Sequence, residues 1–137
     1  MPVAKNIFYV DDDADDQLLF SEAFQEIKNS SGADLNLYQA ENGAEFFKLI
    51  DRINIVPDIT FLDINMPVKN GFECLAEIRA NEKLKNRRVA MLSTSESEDA
   101  ISKSYSLGAD KYIVKPSEFK ELKIAIKKCI EEFNQPK

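Results

Sequence analysis

No histidine occurs among the 137 residues, and that one gap removes Ser-His-Asp and Cys-His catalysis together with imidazole metal ligation. Cysteine is scarce. Cys74 and Cys129 alone make neither a disulfide framework nor a thiolate metal site, and both fall on apolar helical stripes, where plain packing is expected. Positive charge is in deficit, with 18 Lys and Arg against 24 Asp and Glu, for a net charge of -6. Phosphate-backbone binding needs concentrated Lys and Arg, so no nucleic-acid surface is expected. The one basic cluster, Lys83 to Arg88, lies between two apolar segments and reads as a solvated loop. No apolar run is long enough to cross a bilayer, and the opening MPVAKNIFYV lacks a signal peptide's layout. The expectation is a cytoplasmic protein with no membrane partner.

What remains is a globular composition, 44% apolar and 31% charged, in a chain of one-domain length. Its organising stretch is Phe61-Leu62-Asp63-Ile64-Asn65-Met66-Pro67, an apolar run that ends on one carboxylate before Pro67 forbids further strand. A carboxylate at the end of a buried strand has lost hydration and needs a partner or a task. Asp11, Asp12, Ser93 and Lys115 each also follow an apolar run.

In chain order, Ile7-Phe8-Tyr9-Val10 is β-rich and runs into Asp11-Asp12-Asp13. From Asp13 the period turns helical, with Leu19 or Phe20, Ala23, Phe24 and Ile27 on one face. Asp13, Asp15 and Asp16 suit the dipole at that helix's start. Asn29 to Gly32 is expected to end it. Leu35 to Tyr38 alternates as a strand does, and a helix from about Asn42 turns Phe46, Phe47 and Ile50 inward.

Asp58 to Leu62 is the third strand, and Asn70-Gly71 opens a helix with Phe72, Leu75, Ala76 and Ile78 as its mixed apolar face. Val89 to Leu92 is the fourth strand, ending at Ser93-Thr94-Ser95. The helix after it, about Glu96 to Leu107, has a sparse apolar stripe of Ala100, Ile101, Tyr105 and Leu107, so it gains little from packing and can shift at low cost. Gly108-Ala109-Asp110 is a turn. Tyr112 to Val114 is the fifth strand, ending at Lys115-Pro116, and the last helix carries Phe119, Leu122, Ile126, Cys129, Ile130 and Phe133 before fraying from Asn134 to Lys137.

Five strands each followed by a helix imply parallel pairing with right-handed crossovers, hence an α/β doubly wound sheet with helices on both faces. Such sheets bind ligands outside the carboxyl ends of their strands, where the winding reverses. Asp11, Asp12, Asp63, Ser93 and Lys115 would meet there. Crowded carboxylates either raise a pKa or hold a cation. All-oxygen ligands point to Mg2+ or a similar hard ion, with Lys115 and Ser93 able to meet a phosphoryl group. Asp63 would be the nucleophile of a phosphoryl transfer.

The ordered set Tyr9-Val10-Asp11-Asp12, Leu62 to Pro67, Leu92-Ser93 and Gly108-Ala109 leading to Tyr112-Ile113-Val114-Lys115-Pro116 resembles the receiver domain of two-component response regulators, including stand-alone chemotaxis-type members. The resemblance covers essentially the whole chain, and no family residue is missing. It implies one receiver domain over residues 1–137, with a core of about 5–133, and a flavodoxin-like (βα)5 fold of strand order 2-1-3-4-5. It also implies that Asp63 accepts a phosphoryl group from a phosphohistidine of a sensor histidine kinase. Asp12 would ligate Mg2+ directly and Asp11 largely through water, with Asp63 and the Asn65 backbone carbonyl as the further metal ligands. Lys115 would pair with the phosphoryl group, and the Lys115-Pro116 bond would be cis. Ser93 and Tyr112 occupy switch positions, and Asn65 and Ser95 the positions that tune phosphoryl lifetime.

Such a protein is a phosphoacceptor that catalyses only its own phosphorylation and dephosphorylation. The signal would leave through the face of helix four, strand five and helix five, to a target protein or a histidine phosphotransfer protein, from a monomer or a homodimer. The lengths of the segments before strands three and four resemble those of stand-alone regulators that partner phytochrome-type kinases.

Other readings stay open on the sequence. The acidic run could be a helix cap, and Asp11, Asp13, Asp15 and Glu22 fit oxygen positions of a calcium-binding EF-hand loop. Asp16, however, stands where that loop needs glycine. Asp11 with Asp13 could imitate a haloacid-dehalogenase-like phosphatase, but that family expects Thr or Val at Ala14 and acids where Ser93 to Ser95 stand. A degenerate receiver that only binds partners is the last alternative, against which Asp63 and Lys115 argue.

Overall fold

The computed structural model describes residues 5–134; the expectations for the first four residues and for the tail 135–137 lie outside it. Strands and helices alternate: β1 Asn6–Val10, α1 Ala14–Ser31, β2 Asn36–Ala40, α2 Gly43–Ile53, β3 Ile59–Leu62, α3 Gly71–Ala80, β4 Arg88–Ser93, α4 Glu98–Ser106, β5 Lys111–Val114 and α5 Phe119–Phe133. The strands form one parallel sheet in the order β2-β1-β3-β4-β5, as expected.

Successive side chains of a strand point to opposite faces, and β1 shows how this makes two cores. Ile7 and Tyr9 join Phe20, Phe24, Phe61, Leu92 and Ile126 under α1 and α5. Phe8 and Val10 join Phe46, Leu62, Leu75 and Met91 under α2 and α3. The two thiols belong one to each core, and burial pushes both up to about 12, so Cys74 and Cys129 act as packed hydrophobes.

Caps define the helices. The Asp13 side chain accepts the Asp16 amide at 3.0 Å, Asn42 accepts the Glu45 amide at 2.9 Å, and Asn70 and Glu73 exchange bonds in a capping box. α1 runs through Asn29 to Ser31, where the sequence suggested a stop. Only Gly32, at φ 67°, breaks it, because Asn and Ser weaken a helix while Gly alone enters the left-handed region freely. On that helix Phe20 is buried and Leu19 is exposed; Phe72 is half-buried and Ala76 exposed on α3. α4 buries a single residue, Ser104, whose hydroxyl donates back to the Ala100 carbonyl at 2.8 Å.

Two features shape the β3–α3 loop. Gly71 donates its amide to the Ile64 carbonyl at 2.8 Å, and a Cβ there would stand 2.2 Å from the Asp63 carbonyl oxygen. Earlier in the loop the Lys69 amide bonds the Pro67 carbonyl at 2.8 Å around Val68, which sits at φ 68° and is 87% exposed. That is a γ-turn of positive φ, a strained conformation for a β-branched residue. A Gly71→Ala protein is therefore expected to lose about 2–3 kcal/mol of stability, because the intruding methyl meets backbone rather than a movable side chain. Chemical denaturation would measure it, and a loss under about 0.5 kcal/mol would contradict the close approach.

The Lys115–Pro116 bond, implied cis by the resemblance, is trans, the isomer that the intrinsic X-Pro preference favours by about 0.5–1 kcal/mol.

Candidate functional site

The hydrogen-bond ladder does not stop where the strands stop. Asp11 N bonds Ala40 O at 3.1 Å, Asp63 N bonds Val10 O at 2.9 Å, and Lys115 N bonds Ser93 O at 2.7 Å. Each functional residue is thus fixed one step past its strand, on the same edge of the sheet. That is why side chains more than fifty positions apart converge.

Asp11 is buried, and so are Asp63, at 6% exposure, and Ser93; Asp12 is exposed at the rim. Carboxylate oxygens of Asp11, Asp12 and Asp63 all lie within 4.8 Å of one another. Lys115 Nζ donates to Asp11 Oδ2 at 2.7 Å and to Asp16 Oδ2 at 2.8 Å, and stands 3.5 Å from Asp63 Oδ1. Asp11 is the most committed acid: Oδ1 accepts the Asp13 amide at 2.9 Å, and Oδ2 also accepts the Tyr9 hydroxyl.

The electrostatics follow from burial and crowding. Loss of hydration, then the negative charge of Asp11, push the Asp63 carboxyl up to about 6, with Lys115 pulling the other way. Burial and Asp11 drive the Tyr9 phenol far above its ordinary value, so it is a permanent donor. For Lys115 burial opposes the charge, but the bonds to Asp11 and Asp16 outweigh it and hold the ammonium well above its usual range.

Because the folded state binds the Asp63 proton more tightly than the unfolded chain, the ionised form costs stability above about pH 6. That cost fades as pH falls from about 6 towards 4. The metal-free protein is expected to show an Asp63 carboxyl resonance titrating near pH 6, shifting lower when Mg2+ is added. A midpoint near 4 without metal would contradict the crowding described here.

The donor set fits a small hard cation. All three acids offer oxygen, and an octahedral shell at about 2.0–2.1 Å separates opposite ligands by about 4.1 Å, a spacing within reach of the 4.8 Å span. Asn65 lies exposed in the same loop, two residues past Asp63.

Ser93 and Tyr112 are joined through Ser95. Ser93 Oγ accepts the Ser95 amide at 3.2 Å, and the Tyr112 hydroxyl donates to the Ser95 carbonyl at 2.8 Å. On the outer side, Tyr112 N donates to the Tyr105 hydroxyl at 3.0 Å, which ties β5 to α4.

Three contributors escaped the sequence reading. Tyr9 looked like strand packing, Asp16 like dipole compensation, and Gly71 like a helix start. The available signal for Asp16 was the number of acids in one turn, more than a cap requires.

Residues 7–127 match the family described as response regulator receiver domain. The chain belongs to this family. The receiver domain is 42% identical over 66 residues to response regulator Rcp1 of Synechocystis sp., covering 48% of this chain and 45% of that protein. Among solved structures it superposes on the phosphorylated cyanobacterial phytochrome response regulator RcpA with a TM-score of 0.82 at 36% identity, covering 96% of this chain and 94% of the other. The Mn2+-bound form of Rcp1 gives 0.81 at 30% identity, covering 97% and 96%. The chain spans about half the length of the first curated relatives it matches.

Receiver domains belong to two-component signalling rather than to a classical enzyme family, and the Asp11, Asp12 and Asp63 pocket of this one fits phosphorylation with Mg2+. Among the described residues no helix is long and apolar enough to cross a membrane.

Proposed function

We propose that residues 1–137 act as a single receiver domain in which Asp63 takes a phosphoryl group from a phosphohistidine of a partner sensor kinase. The observation that carries this reading is the meeting of Asp11, Asp12 and Asp63 oxygens within 4.8 Å, with Lys115 Nζ 3.5 Å from Asp63. An Asp63 oxygen forms the new bond to phosphorus as the phosphorus–nitrogen bond of the donor breaks, and the donor imidazole keeps the bonding pair and gains a proton. Asp12 and Asp63 would hold Mg2+ directly and Asp11 chiefly through water, since three of its lone-pair sites are already taken. The Asn65 backbone carbonyl would be the remaining protein ligand. When bound, Mg2+ offsets the charge of the phosphoryl oxygens.

Lys115 supplies the second positive group, kept beside the site by its bond to the buried Asp11 before any phosphate arrives. The Ser93 hydroxyl turns to the phosphoryl oxygens, releases the Ser95 amide and repositions the Ser95 carbonyl on which the Tyr112 hydroxyl rests. The thinly packed α4 follows, altering the face of α4, β5 and α5 that a target protein or phosphotransfer protein reads. Asn65 and Ser95 flank the acyl phosphate and govern water access. The name of one structural relative, the phytochrome response regulator RcpA, supports a phytochrome-type kinase as donor, acting on a monomeric or homodimeric protein in the cytoplasm.

The phosphatase reading lacks its acidic pair after β4, where Ser93 is buried and neutral. Incubation with acetyl phosphate and Mg2+, followed by mass spectrometry, is expected to place one phosphoryl group on Asp63. Steady release of phosphate from generic esters, with no labelled Asp63, would favour the phosphatase instead.

A further inference from the structure

We propose that Asp16 is a positioning residue that competes with the phosphoryl group for Lys115, and so lowers the site's affinity for a phosphoryl-shaped anion. The inference rests on the reading of Asp63 and Lys115 above.

An ammonium has three N–H donors. Two of those of Lys115 are engaged, with Asp11 at 2.7 Å and Asp16 at 2.8 Å, while Asp63 lies at 3.5 Å, too far for a good hydrogen bond. The ammonium is thus drawn towards the first turn of α1 and away from the phosphoacceptor. A phosphoryl group on Asp63 brings further anionic oxygens that need it.

The two partners differ in what losing Lys115 would cost. The Asp11 side chain is 0% exposed, and an ionised carboxylate stripped of its counter-ion in such a place is heavily penalised. The Asp16 side chain is 35% exposed. It also sits in the first turn of α1, where the helix N-terminus favours an anion. Beside the pair lies a cavity of about 40 Å3, lined by Tyr9, Asp16, Leu92, Lys115 and Pro116, large enough for a water to take over the bond. When the phosphoryl group draws Lys115, the bond that yields is the one to Asp16.

Helix-dipole compensation alone would give Asp16 no influence on anion affinity beyond that of any neighbouring acid. Asp15, exposed on the same turn, provides that comparison. The full chain is titrated with beryllofluoride in saturating Mg2+, and binding is followed by amide chemical shifts.

The half-saturating concentration for Asp16→Asn is expected to fall about fivefold, the effect of one partly exposed ion pair. Asp15→Asn should change it by less than about a factor of two, and Asp16→Glu should return it towards the parent value. Asp16→Ala provides a second removal of the carboxylate should Asn alter the cap. No gain in either Asp16→Asn or Asp16→Ala, or an equal gain in Asp15→Asn, overturns the inference while leaving the receiver reading intact. Failure of the parent protein to bind beryllofluoride sinks both.

Discussion

An Asp63→Asn protein takes up no phosphoryl label from acetyl phosphate in Mg2+, a loss of at least about a thousandfold against the parent, because an amide oxygen is not a nucleophile of comparable strength and no neighbour can replace it. Asp11 is tied to Tyr9, Lys115 and the Asp13 amide, and Asp12 lies at the rim. The same substitution raises stability. Asp63 is held ionised at neutral pH against an upward push to about 6 from its ordinary 3.8, and at about 1.4 kcal/mol per pH unit the relief at pH 7 is roughly 3 kcal/mol. The gain shrinks as pH falls below 6. Residual labelling at another aspartate, or a less stable variant at pH 7, would remove Asp63 from the centre of the site.

Lys115→Met produces the largest loss of stability. The substitution keeps an unbranched aliphatic stem and removes the charge. Asp11 and Asp63 then face each other in a water-poor pocket with the Tyr9 hydroxyl as the main remaining side-chain donor to Asp11. Removing one partner of a buried pair costs about 3–5 kcal/mol; with Asp12 and Asp16 open to solvent, about 3 kcal/mol is expected at pH 7. Two conditions restore part of it: Mg2+, which supplies positive charge, and acid pH, which protonates the carboxylates. Urea denaturation with and without Mg2+ measures both, and a metal-independent loss below 1 kcal/mol would mean that Lys115 does not neutralise the site.

The architecture was readable because its signals are local and redundant. Four strands end on a polar group that has no reason to follow an apolar run, and the alternation of periods two and 3.6 sets the order of elements. The site was readable for the same reason, since strand ends in a parallel sheet share one edge. What stayed hidden depends on side-chain reach and backbone proximity. Asp16 lies on a helix rather than a strand end, and only the folded path of the Lys115 stem shows which acid of that turn it meets. Gly71 reads as a helix start because nothing in the sequence reports that the Asp63 carbonyl passes beside it. Phe20 rather than Leu19 faces inward because the first strand presents Tyr9 there, and the two rings stack at 4.2 Å.

The two banks of the pocket differ in stiffness. The γ-turn at Val68 is an unfavourable backbone shape on an 87% exposed side chain, so no contact of its own compensates for it. Pro67 on one side and the Gly71 anchor on the other must impose it. The segment after Asp63 is therefore a strut of set length, and the opposite bank, where α4 buries one residue and meets β5 through the Tyr105–Tyr112 hydrogen bond, is left to absorb the strain when the charge in the pocket changes.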